Sequence, residues 1–168
     1  EYDLLYMEQP VEGIDQMAEV TKRVDTPIMA DESAWTAEDV MEIVQKKAAD
    51  MISIYTTKPG GIFKAKKVAA VAEASGLKCN VNGSVETGVG NAANIHLAAS
   101  TAVVTFGCVV PVSTPKGAGK KGIAGIYYQD DIITEGFGFS DGDIFVSTKP
   151  GLGIELDEDK LKHYRLDS

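Results

Sequence analysis

Residues 6–13, YMEQPVEG, and residues 27–35, PIMADESAW, share one design: a short apolar run that ends on acid. Glu8 closes the first run and Asp31-Glu32 the second, 23 residues apart. A buried strand that finishes in a carboxylate is costly unless the charge is solvated, paired or used. The same pitch continues along the chain. MISIYTT (51–57) and KCNVNG (78–83) also read as apolar strands, so strand ends fall near residues 8, 31, 55 and 82.

Helical patterns fill the gaps between these strands. Ile14, Met17, Ala18 and Thr21 share one face of a helix expected over about 14–24, and Pro27 breaks it. Thr36 is a plausible N-cap for TAEDVMEIVQKKAAD, with acids in its first turn and lysines in its last. Gly60-Gly61 lead into IFKAKKVAAVAEASG, which Gly76 stops, and GNAANIHLAAS reads as a small-residue helix. VVTFGCVV (103–110) is expected to be a fifth strand. Repeated strand–helix units at this pitch imply parallel strands joined by right-handed crossovers, in a doubly wound sheet or part of a (β/α)8 barrel. No G-x-G-x-x-G follows the first strand, which weakens a dinucleotide-binding reading. In either architecture the chemistry sits at the carboxyl ends of the strands, where Glu8, Asp31, Tyr55, Lys58 and Asn82 fall.

Beyond the fifth strand the rhythm stops. STPKGAGKKGIAG (113–125) is a Gly/Lys-rich loop, and the remainder reads as a short hairpin with a C-terminal helix or cap. We therefore expect a partial barrel over 1–125 and a tail over 126–168 that closes it and packs toward a capping domain.

Bulk properties narrow the function classes. The 168 residues carry 16 basic and 25 acidic side chains, a net charge of −9. That balance argues against nucleic acid or an anionic membrane surface as the main partner. No apolar run reaches the length of a membrane span. EYDLLYME lacks the basic segment of a signal peptide, and Cys79 and Cys108 are isolated, so a cytoplasmic location is expected.

Taken in order, MEQP, IMADES, a strand running into KPGG, and KPGLGIELDEDKLKHY resemble the enolase superfamily, in its mandelate racemase/muconate lactonizing branch. The resemblance runs from the fourth barrel strand to the end of the chain. It implies an α/β fold: strands four to eight of a (β/α)8 TIM-type barrel with a C-terminal tail. It also implies Mg2+ held by carboxylates, with Glu8 and Asp31 matching the strand-four and strand-five ligands and Glu32 standing behind Asp31 as a supporting partner that does not itself bind the metal. Mg2+ favours hard oxygen donors and keeps coordination positions for substrate, which suits this assignment. The plainer alternative is that these acids are solvated or cap helices.

The sequence departs from that family at several positions. Aligned on the Gly-Gly turn, the strand-six base position is Tyr55, with Lys58 following. Tyr55 is a candidate general acid and Lys58 a candidate cation or base; opposite strand parity would separate them unless the strand ends before Lys58. A tyrosine near its ordinary pKa of about 10 is a poor base at neutral pH. Asn82 stands where the racemase group ends strand seven in histidine, and with Glu86 it is expected to line the substrate pocket. His96 reads as a satisfied helix histidine. Lys116, Lys120 and Lys121 could bind the distal carboxylate of a diacid, or simply be solvated. The strand-two lysines and the strand-three metal ligand have no counterpart here.

The implied function is Mg2+-assisted proton abstraction α to a carboxylate, giving an enediolate. A single base favours cycloisomerase or dehydratase chemistry on a hydroxy or sugar acid or a muconate-like diacid. The expected partners are that substrate, the N-terminal part of the same enzyme or a companion chain, and further copies in a homo-oligomer. Half a barrel should expose its inner face. An inactive or structural barrel subunit is the alternative, and a Schiff-base role for Lys58 ranks below both.

Overall fold

The computed structural model describes residues 2–111 and 130–166. Four parallel strands, β1 (Met7–Glu8), β2 (Ile28–Ala30), β3 (Met51–Ile54) and β4 (Lys78–Val81), lie side by side in chain order. The helices α1 (Ile14–Thr21), α2 (Ala37–Lys46), α3 (Ile62–Ala74) and α4 (Gly88–Ala99) follow them one for one. A doubly wound sheet reverses its order at a switch point, whereas this order never reverses, as in an arc of a (β/α) barrel.

Strand parity assigns the two faces. Ile28, Ala30, Ile52, Ile54, Cys79 and Val81 pack with the buried Met17, Val40, Ile43, Ala65, Val68, Ala72 and Leu97 into one apolar core. Truncating such a residue, Ile43→Ala for instance, is expected to cost about 2–5 kcal/mol. Alternate positions face the other way: Met29 pairs with Met51, and Ser53 with Asn80. These inner positions are buried, contrary to the exposed inner face expected of half a barrel. Strong curvature is the reason. The Tyr6 and Phe106 rings, from opposite margins of the sheet, meet edge-on with centroids 6.1 Å apart. Above them Asn82, after β4, reaches Glu8 of β1 at 3.2 Å. A flat sheet would hold strands three places apart at about 14 Å, beyond such contact.

Several elements are shorter than their sequence patterns. β1 is confined to Met7–Glu8, while Leu4 and Leu5 are exposed. α1 ends at Thr21, whose hydroxyl turns back to the Met17 and Ala48 carbonyls. α2 opens on a capping box between Thr36 and Asp39 and ends where Lys47 turns left-handed, at φ 53°. β3 stops at Ile54, so Tyr55 and Lys58 lie beyond it and strand parity does not separate them. The expected strand over 103–110 is not continuous: Val104 bridges Cys79 and Val109 bridges Asn82. Between those bridges the N–H groups of Thr105 and Phe106 share the Cys79 carbonyl, which breaks the even parallel ladder.

In the tail, β5 (Phe139–Ser140) and β6 (Asp143–Ile144) form the expected hairpin, turning through Asp141 and Gly142 at positive φ. The expected C-terminal helix is α5 (Glu158–Tyr164), capped by Asp157. Asp131 accepts the Gly88 N–H at the start of α4, Lys160 bonds Asp130 and the Asp131 carbonyl, and His96 meets the Leu152 carbonyl at 3.2 Å. The expected boundary at 125/126 lies outside the described residues, as do Lys116, Lys120 and Lys121. Among the described residues no helix is long and apolar enough to cross a membrane.

Candidate active site at the carboxyl ends of the strands

A cleft of about 830 Å3 opens where β1 to β4 end, lined among other residues by Glu8, Asp31, Glu32, Tyr55 and Asn82. The folding logic is simple. Each strand buries its apolar residues and delivers the next polar one to the rim, so four consecutive units bring these side chains together.

Asp31 is the most constrained of them. Lys58 Nζ donates to its Oδ1 at 2.7 Å and its carbonyl at 2.9 Å, and to the Ser53 carbonyl at 2.8 Å. Those three bonds use all three ammonium protons. The pair is well shielded, with side-chain exposures of 10% for Lys58 and 15% for Asp31. Burial pulls the Lys58 ammonium below its ordinary range, and Asp31 opposes that pull. The same ammonium lies 4.5 Å from the centroid of the Tyr55 ring, whose hydroxyl points at Asp31 Oδ2 over 3.5 Å. Burial, reinforced by Asp31 and Glu8, pushes the Tyr55 phenol well above its ordinary range, so it stays protonated.

Glu8 lies in a different environment. It is exposed as a residue, yet its carboxylate accepts from Asn82 Nδ2 at 3.2 Å. Burial of that end and the nearby Asp31 raise its pKa, while hydrogen bonds from Asn82 and Ser53 hold it down. Asn82 also bonds Ser53 Oγ at 2.9 Å, and its Oδ1 accepts the Val109 N–H at 3.0 Å. Glu32 lines the cleft and adds negative potential to both Glu8 and Tyr55. Glu86 is drawn into its own turn, accepting from Ser84 N at 2.6 Å and Thr57 Oγ1 at 3.1 Å, and does not line the cleft among the described residues.

Three residues with no role assigned from the sequence contribute to this geometry. Gln9, inside MEQP, adopts φ 39° and its Oε1 accepts the N–H groups of Asp31 and Ser33. Ser53, the lone hydroxyl in MISI, faces inward beside Glu8. Asn94, buried in α4, binds both Thr56 and the Asn82 carbonyl. An isolated polar residue within an apolar run was the available signal for the last two.

The donor chemistry suits a hard cation: four carboxylates, those of Glu8, Glu12, Asp31 and Glu32, line the cleft, no described lining residue is basic, and burial together with the nearby Asp31 raises the Glu8 pKa. Among the described residues no group of three or more His, Cys, Asp or Glu is placed to hold a metal ion. Two carboxylates such as those of Glu8 and Asp31 would not by themselves complete the ligand set of a metal ion.

Fold and cleft together define a portion of a (β/α)8 barrel with an acidic site at its carboxyl rim. The enolase C-terminal domain-like family model matches residues 1–160, and the chain belongs to that family. It is 33% identical to muconate cycloisomerase 1 of Rhodococcus opacus over 160 residues, covering 95% of this chain and 40% of that protein. Identity to the L-Ala-D/L-Glu epimerase of Bacillus subtilis is 38% over 151 residues, covering 88% of this chain and 37% of the epimerase. The crystal structure of 2-chloromuconate cycloisomerase from Rhodococcus opacus superposes with a TM-score of 0.81 at 30% identity, covering 95% of this chain and 41% of that one. The chain thus spans about two fifths of the length of these relatives, and its fold is the C-terminal portion of their enolase-superfamily barrel, in the mandelate racemase/muconate lactonizing branch.

Proposed function

We propose that this chain carries two of the Mg2+ ligands, Glu8 and Asp31, of an enzyme that abstracts a proton α to a carboxylate. The observation that carries this reading is the crowding of acid around Glu8: four acids, Glu8, Glu12, Asp31 and Glu32, line one cleft, and the Lys58 ammonium is committed to Asp31. When bound, Mg2+ would supply Lewis-acid stabilisation of the charge that develops on a substrate carboxylate.

The chain's own residues divide the remaining work. Lys58 holds Asp31 in place and neutralises one of its oxygens, leaving Oδ2 toward the cleft. Its three satisfied protons speak against a Schiff-base role. Tyr55, held protonated, is a hydrogen-bond donor and general acid rather than a base. Asn82 orients Glu8 and offers no proton-accepting ring. Glu86 shapes the turn beside the pocket, and Glu32 stands behind Asp31 as an added negative charge. With Tyr55 and Asn82 at the positions where relatives would place strand-six and strand-seven bases, proton abstraction falls to a base on another part of the barrel. One base on one face favours cycloisomerisation or syn dehydration over two-base racemisation. The substrate class is a hydroxy or sugar acid or a muconate-like diacid. The partners are the remaining barrel, as N-terminal sequence or a companion chain, and further copies in a homo-oligomer. Free thiols at Cys79 and Cys108 are in keeping with a cytoplasmic site of action.

Calorimetric titration of the whole protein with Mg2+ tests this. Binding is expected in the parent, with loss in Glu8→Gln and Asp31→Asn. Turnover of a panel of small carboxylic acids in deuterated water should then place label on one face only. A parent that binds no Mg2+ would sink the reading and leave that of a structural barrel subunit.

A further inference from the structure

Helix α4 carries two asparagines, Asn91 and Asn94, on the same face three residues apart, and both are fully buried. A helix that packs on a sheet ordinarily buries apolar side chains there, so two buried amides need an explanation. Asn94 Oδ1 accepts from Thr56 N at 3.0 Å and Thr56 Oγ1 at 2.8 Å, and its Nδ2 donates to the Asn82 carbonyl at 3.2 Å. Asn91 Nδ2 donates to the Glu86 carbonyl at 3.0 Å and the Pro111 carbonyl at 2.7 Å. The amide orientations follow from the partners: a backbone N–H can only donate and a carbonyl can only accept. One helix face therefore ties together three segments at the rim: the loop after β3, the loop after β4, and the segment that includes Val109.

The chemistry continues into the cleft. Thr56 follows Tyr55 directly, and Asn82 holds Glu8 with one end of its amide and Val109 with the other. A chain of hydrogen bonds thus runs Thr56–Asn94–Asn82–Glu8. The residue next to Asn82 is glycine, and a Cβ there would meet Glu86 Oε2 at 2.7 Å and Asn94 Nδ2 at 3.3 Å. A side chain at Gly83 would have to displace the Glu86 carboxylate and press on Asn94.

We infer that Asn94 is a positioning residue for the site, fixing the Tyr55 backbone and the Asn82–Glu8 contact relative to each other; its metal-linked part rests on the function proposed above. Only an amide of this length meets both demands. Aspartate would lose the donor to Asn82 and add buried negative charge beneath Glu8 and Asp31. Leucine would fill the space and lose every bond.

The test uses the whole protein, with Asn94→Leu and Asn94→Asp, and reads Mg2+ affinity, melting temperature and amide hydrogen exchange. In Asn94→Leu, exchange at Thr56 and Val109 should quicken about tenfold or more while Ile52 stays protected. Mg2+ affinity should fall about 10- to 100-fold, the usual range for residues that orient metal ligands. Asn94→Asp should keep Thr56 protected and still weaken Mg2+ binding. In an Asn82→Ala background, where the contact to Glu8 is already gone, Asn94→Leu should cost less Mg2+ affinity than it does in the parent. A lower melting temperature with unchanged Mg2+ affinity and unchanged protection at Val109 would overturn the inference. Should the parent bind no Mg2+, the functional reading falls by itself and exchange decides: lost protection at Thr56 and Val109 sustains the clasp, and unchanged protection removes it.

Discussion

Glu8 and Asp31 end neighbouring strands and line the same cleft, yet they occupy opposite electrostatic situations. Asp31 is half-buried and holds an ammonium, and Gln9 fixes its backbone. Glu8 is at the margin of the sheet, with an asparagine and a serine for company and the negative charges of Asp31 and Glu32 nearby. The contrast teaches that the site is balanced on one side only. Asp31 is neutralised within this chain by Lys58, whereas Glu8 has no ion-pair partner among the described residues.

Removing the cation at Asp31 should give the largest effect. Lys58→Met leaves Asp31 shielded and uncompensated, and losing one partner of a buried pair costs about 3–5 kcal/mol. Urea unfolding would read it. Lys46, which meets Asp15 at 2.6 Å and Glu42 at 2.7 Å at the surface, is the control: its replacement by Met should leave the urea midpoint nearly unchanged. Equal losses at the two lysines would erase the distinction drawn between the regions.

Gln9→Ala comes next. It strips the acceptor from the N–H groups of Asp31 and Ser33, an expected cost of about 1–3 kcal/mol. Because these donors set where Asp31 sits, Mg2+ affinity should fall with stability. Thr36→Ala removes an N-cap remote from the cleft and should cost about 1 kcal/mol without touching Mg2+ affinity. A metal-affinity loss in Thr36→Ala equal to that in Gln9→Ala would show that general loosening, not positioning, accounts for both.

The parts legible in the sequence are those governed by periodicity and by neighbours in the chain. The apolar runs and their pitch located four parallel strands, and the Thr36 cap was a local signal. The strand-end rule placed Glu8, Asp31, Tyr55 and Asn82 on one rim. Contacts across the barrel interior were not legible. Nothing in the order of residues says that Asn82 reaches Glu8 74 positions away, or that Lys58 folds back under Asp31. Strand parity would separate Tyr55 and Lys58 only on a strand that continued past them, and β3 ends at Ile54, where the rule ceases to apply. The 103–110 run looked like a strand by composition, but the doubled bond to Cys79 interrupts its pairing.

The smallest effect gives the sharpest test of the comparison. The Glu8 carboxyl binds its proton more tightly in the folded state than in the unfolded chain, chiefly through burial and the nearness of Asp31. A group raised in this way contributes stability that is fully present below its unfolded pKa, about 4.3, and lost as pH rises through the folded value. At neutral pH, without metal, the charged Glu8 should therefore weigh against folding. Glu8→Gln keeps the oxygen that accepts from Asn82 and discards the charge, so its melting temperature should be slightly higher at pH 7. That gain should shrink as pH drops toward 4. Saturating Mg2+ should reverse the order, stabilising the parent and leaving the variant unmoved. A variant that melts lower than the parent at pH 7 without metal would mean that Glu8 is already neutralised, and the two acids would then be alike.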